Sequence, residues 1–60
     1  MGKKLRAARL SAGLTQTELA EKVGCHQKDV SRWEAGQHAP GARTLKKLAV
    51  ALGCSVDELI

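Results

Sequence analysis

Glycine falls at positions 13, 24, 36 and 53, and each time it follows a stretch suited to an amphipathic helix. In such a stretch apolar residues recur three and four positions apart, and a glycine just past it is a stop signal. Stops this frequent allow only short helices. No stretch between them alternates apolar and polar residues as a half-buried strand would. The spacing therefore predicts an all-α fold without repeats or low-complexity segments. Residues 3–12 read as the first helix, with Leu5, Ala8 and Ala12 on one stripe. Gln16–Val23 reads as the second, burying Leu19 and Val23, and Gln27–Ala35 as the third. After a loop at residues 37–41, Ala42–Leu52 reads as the fourth, with Leu45, Leu48, Ala49 and Leu52 on one side and Lys46 and Lys47 opposite.

The helix starts carry their own signals. Thr15-Gln16-Thr17-Glu18 is a capping box, with Leu14 and Leu19 at the two positions of a hydrophobic staple. Ser55-Val56-Asp57-Glu58 repeats the pattern, with Cys54 and Leu59 as its staple, and predicts a fifth helix. The third helix begins behind His26, a poorer cap than Ser, Thr, Asp or Asn.

Sixty residues make one domain, 1–60, and a chain this short buries only about 60% of its unfolded surface. With one Trp and no Phe or Tyr, the core must be Leu, Val and Ala. The net charge of +4 points to a polyanionic partner. Lys3, Lys4, Arg6 and Arg9 concentrate positive charge at the start, and Arg43, Lys46 and Lys47 do so later without an acid nearby. Asp57 and Glu58 make the end acidic.

Placed at 100° steps, Gln27, Lys28, Ser31, Arg32 and Ala35 share one arc of the third helix, while Val30 and Trp33 lie opposite. One side can dock on a core. The other offers an amide, an ammonium, a hydroxyl and a guanidinium with no carboxylate among them. Such a donor-rich inventory suits base edges and phosphates in a DNA major groove. Two charges sit on apolar flanks: Arg9 beside Leu5 and Ala8, and Glu34 beside Val30. Lone charges are costly to desolvate. The two are therefore expected to form a partly buried ion pair between the first and third helices, rather than snorkel separately to water.

Gln16 to Ala35 resembles the helix-turn-helix of the phage repressor and Cro proteins, the XRE family. The likeness rests on Leu19 and Ala20, Gly24 at the turn, and Cys25, Val30 and Trp33 at the hydrophobic positions. It extends back through Arg9 and Gly13-Leu14-Thr15-Gln16, and forward through Ala51-Leu52-Gly53 and Ser55-Val56-Asp57-Glu58-Leu59. The resemblance implies a five-helix, lambda-repressor-like DNA-binding domain with its motif at 16–35. It also implies binding to double-stranded operator DNA, usually as a homodimer on a near-palindromic site. Carried over by position, Gln27, Lys28 and Arg32, with Ser31 as a helper, are expected to touch bases. Gln16, Thr17, His38 and Arg43 are expected at the DNA backbone, and Arg9 and Glu34 match a structural ion pair of the family. The chain departs from the family pattern at His26, where Ser or Thr is usual, and at Gly41, where Ser is common.

Other chemistries find less support. Cys25, His26, His38 and Cys54 match no CxxC or HxxxH spacing, so no metal, cofactor or catalytic residue is expected. Both cysteines sit at staple positions and are expected to be reduced, buried and inert. Leu10 and Val50 fall off their stripes and are expected at the surface. No apolar run is long enough to span a membrane and no signal peptide is visible, which places the expected work in the cytoplasm. The resulting expectation is a transcriptional regulator acting as a repressor, with no enzymatic activity and no small-molecule substrate. A protein-interaction module, such as an antitoxin domain holding a partner, is the alternative.

Overall fold

A computed structural model describes all of residues 1–60. Its helices are α1 (Gly2–Ser11), α2 (Gln16–Val23), α3 (Gln27–Glu34) and α4 (Ala42–Leu52), followed by a 3-10 turn at Val56–Glu58. α1 packs on α3, α2 packs on both α3 and α4, and the 3-10 turn packs on α4. Leu5, Leu19, Val30, Leu48 and Leu59 are fully buried. One comes from each helix and the last follows the 3-10 turn, so each element contributes an anchor of about 1.5–3 kcal/mol of transfer free energy. Ala20, Val23, Trp33 and Ala49 fill the space between them. Leu10 and Val50 lie at the surface.

The local signals act through particular bonds. The Glu18 N–H donates to Thr15 Oγ1 at 3.1 Å, and Glu18 Oε1 accepts from the Thr15 N–H at 2.9 Å, so α2 starts on a complete capping box. At its other end Gly24 adopts φ +77, a left-handed conformation that costs glycine little. The Gly24 and Cys25 N–H groups both donate to the Ala20 carbonyl at 2.9 Å. This turn delivers the chain into α3. His26 makes no capping bond through its side chain, but the Asp29 carboxylate accepts from the His26 backbone N–H at 3.2 Å. The weak cap is thus compensated from inside the helix.

The expected fifth α-helix is not formed: the structure has four. Glu58 Oε2 does accept from the Ser55 N–H at 2.8 Å, as a capping box requires. The bonds that follow run from Glu58 N–H to Ser55 O and from Leu59 N–H to Val56 O, three residues back rather than four. They form a 3-10 turn, and its tighter winding carries Leu59 into the core. α1 also begins one residue earlier than the sequence pattern suggests, at Gly2, which lies against the end of α3. A Cβ at Gly2 would collide with the Glu34 carbonyl oxygen, and would sit 2.9 Å from the Glu34 carbonyl carbon and 3.0 Å from the Trp33 oxygen. The positive end of α1 therefore meets the negative end of α3.

Candidate nucleic-acid interface

α3 is fixed from behind. Val30 and Trp33 are buried in the core, and its last residue, Glu34, is held by three donors. Arg9 Nε donates to Glu34 Oε2 at 2.6 Å, Arg9 Nη2 to Oε1 at 3.2 Å, and Gln16 Nε2 to Oε1 at 3.1 Å. The Arg9 and Glu34 side chains are only 9% and 5% exposed. Arg9 Nη1 also donates to the Leu14 carbonyl at 2.8 Å, which ties the α1–α2 link to the same guanidinium. One buried arginine thus joins α1, the loop before α2 and the C-terminal end of α3. The bidentate geometry and the extra donors offset the desolvation of the two charges.

The exposed side of α3 carries Gln27, Lys28 and Arg32, with Ser31 half-buried beside them. Lys28 and Arg32 stand one turn apart with no protein partner. Asp29, the carboxylate nearest this face, is turned back to the His26 N–H. Gln27 is not a free side chain: its Nε2 donates to Gln16 Oε1 at 2.6 Å. The amide that would read a base is therefore continuous with the Gln16–Glu34–Arg9 bonds beneath it. Sequence reasoning placed Gln16 and Gln27 on separate tasks. The signal for their contact was a glutamine in the first turn of each helix of the motif.

Of the other expected backbone contacts, Thr17 is exposed in the first turn of α2 and Arg43 in the first turn of α4. His38 is exposed in the loop between α3 and α4, and it lines a shallow cleft with Arg32 and Asp29. Each lies at a helix start or in the loop after α3, where a backbone could pass.

No three His, Cys, Asp or Glu side chains converge on one point. Cys25 and Cys54 are half-buried, less enclosed than the staple pattern suggested, because each sits at the rim where a helix begins or ends. Desolvation still pushes both thiols up, assisted by Asp29 beside Cys25 and by Glu58 beside Cys54. No helix is long and apolar enough to cross a membrane.

Comparison with known proteins extends the picture. The chain is similar over its full length, at 38% identity, to the HTH-type transcriptional regulator ImmR of Bacillus subtilis, of which it spans 47%. It is 33% identical over 95% of its length to the HTH-type transcriptional activator BcrR of Enterococcus faecalis, of which it spans 28%. It thus covers less than half of each of these relatives. Among solved structures it superposes on the restriction-modification controller protein C.AhdI of Aeromonas hydrophila with a TM-score of 0.92 and 36% identity, over 98% of this chain and 86% of that one. SinR, a master regulator for biofilm formation solved in complex with DNA, gives a TM-score of 0.92 at 30% identity, with both chains covered completely. The family described as Helix-turn-helix matches residues 5–59. By this match, and by the α2–turn–α3 geometry it spans, the chain belongs to the helix-turn-helix family.

Proposed function

We propose that the chain is a sequence-specific binder of double-stranded DNA and acts in the cytoplasm as a transcriptional regulator, repressing by occupying its operator. The observation that carries this reading is the exposed side of α3. It offers amide, ammonium and guanidinium donors, and its neighbouring carboxylates, Asp29 and Glu34, are already bonded on the protein side. In the major groove Gln27 would suit an adenine, and Lys28 or Arg32 a guanine, with Ser31 assisting. Gln16, Thr17, His38 and Arg43 would meet the flanking backbone and set the register without carrying sequence information. SinR, whose structure matches this chain over its whole length, was solved with DNA. Two copies on inverted half-sites about 34–36 Å apart would complete the arrangement.

Selection of bound sequences from a random duplex pool tests the reading. A recovered half-site mixing A·T and G·C pairs is expected. Arg32→Ala should then weaken operator binding by about 1–3 kcal/mol and relax preference at one base pair, and Gln27→Ala should do so at another. Base preferences unchanged in both variants would remove α3 as the reading element and favour the interaction-module alternative.

A further inference from the structure

A cleft of about 330 Å³ opens between α1 and α3, lined by Arg6, Arg9, Gln16, Ser31, Glu34 and Ala35. Its charges do not cancel. Glu34 is its one carboxylate, and both of its oxygens are occupied, by Arg9 alone on one side and by Arg9 and Gln16 on the other. Arg9 is nine-tenths buried and uses three of its five N–H groups, which leaves one on Nη1 and one on Nη2. The Ser31 hydroxyl and the exposed Arg6 guanidinium bond to nothing in the protein. After Arg9 and Glu34 neutralise each other the cleft keeps the charge of Arg6, a surplus of donors and no unoccupied carboxylate. A rigid buried guanidinium beside a mobile exposed one suits a tetrahedral anion with several acceptor oxygens.

We infer that this cleft seats one phosphate of the DNA backbone, with Arg6 closing over it from α1. The inference rests on the DNA-binding reading and adds to it Arg6, which the sequence marks only as part of the positive charge at the start of the chain. The location explains why a phosphate here would matter. Gln16 borders the cleft and holds Gln27 at 2.6 Å. A phosphate seated here would fix where the backbone runs beside these bonds, without itself carrying sequence information.

The experiment compares the 60-residue chain with Arg6→Gln and Arg6→Lys on the selected operator and its single-base variants, by fluorescence anisotropy at several salt concentrations. One phosphate contact contributes a factor of about [salt] to the power −0.9, or about eightfold at 0.1 M, fading toward none at 1 M. Arg6→Gln should therefore bind about eightfold more weakly at 0.1 M on every sequence alike, with a log-affinity versus log-salt slope lower by about 0.9. Arg6→Lys should recover most of the loss. A neutral methylphosphonate at one backbone position should reproduce the loss with the unsubstituted chain and add nothing with Arg6→Gln. Equal melting temperatures should show the fold unchanged, since Arg6 is exposed. Binding by Arg6→Gln within twofold of the unsubstituted chain, while Arg32→Ala still alters base preference, would overturn the phosphate seat alone. So would a loss confined to one base pair, or methylphosphonate losses that all persist in Arg6→Gln. Failure of the unsubstituted chain to bind any duplex would overturn the DNA-binding reading along with it.

Discussion

Replacing Arg9 by methionine removes three hydrogen bonds at once. Glu34, 5% exposed, would keep only the Gln16 donor, and the Leu14 carbonyl would lose its side-chain partner. Deleting one member of a buried ion pair costs about 3–5 kcal/mol, because the survivor stays charged and unmatched. The remaining Gln16 bond puts the expected loss for Arg9→Met near the lower end, at about 3 kcal/mol. A domain of this length holds about 3–9 kcal/mol in total, so this variant should be barely folded. At about 4–8 °C per kcal/mol its melting midpoint should fall by about 12–24 °C. Glu34→Leu should cost a similar amount by stranding the guanidinium. The double variant replaces both charges with apolar groups of comparable volume, a change often neutral or stabilising when done together. Its loss should fall short of the summed single losses by at least about 2 kcal/mol. Urea unfolding of the four proteins, followed by circular dichroism, gives that coupling directly. Additivity within about 0.5 kcal/mol would refute the argument, since independent sites behave that way.

Three further outcomes follow from particular contacts. Gly2→Ala should destabilise the domain by about 1–2 kcal/mol, because the clash is with the Glu34 backbone, which places overpacking at about 2–3, while the better helix former returns about 1; an unchanged or raised urea midpoint would contradict it. Cys25 and Cys54 should react slowly with a thiol reagent at neutral pH and much faster in denaturant, because desolvation holds both in the protonated form. Rapid native labelling of either would count against this. The Thr15 backbone N–H, and then its hydroxyl, hold the Glu18 carboxyl below its ordinary value of 4.5. With the folded value depressed, the contribution of Glu18 is present above the ordinary carboxylate range and lost as pH falls through the folded value. Glu18→Gln should therefore flatten the decline of melting temperature below about pH 4.5, and an identical decline would argue against it.

What could be read in the sequence was local. Thr15 and Glu18, three positions apart, are enough to write the capping box that starts α2, because the bond they make spans a single turn. The leucine stripes and terminal glycines likewise mark α2 and α4 to the residue. Arg9 and Glu34 could be paired because each breaks an apolar stripe and their charges are opposite. Distances between elements were not legible. Nothing in the sequence says that Gly2 touches the Glu34 carbonyl, or that Gln16 and Gln27 meet. The box at Ser55 reads the same whether an α-helix or a 3-10 turn follows. The winding is decided where Leu59 enters the core, a tertiary matter. His26 was judged alone, although Asp29 three residues on carried the sign of a reciprocal cap.

The bond between Gln27 and Gln16 bears on how this domain could be given a new target. Lys28 and Arg32 end in solvent, and on the proposed reading substitutions there would alter recognition while leaving the remainder untouched. Gln27 differs, since its amide is the outermost link of a series reaching Arg9 in another helix. A replacement at 27 that cannot donate leaves Gln16 Oε1 without that donor, on the same amide whose Nε2 holds Glu34. Respecification would therefore be modular at two positions and entangled at the third, where a change at 27 would have to be made together with one at 16.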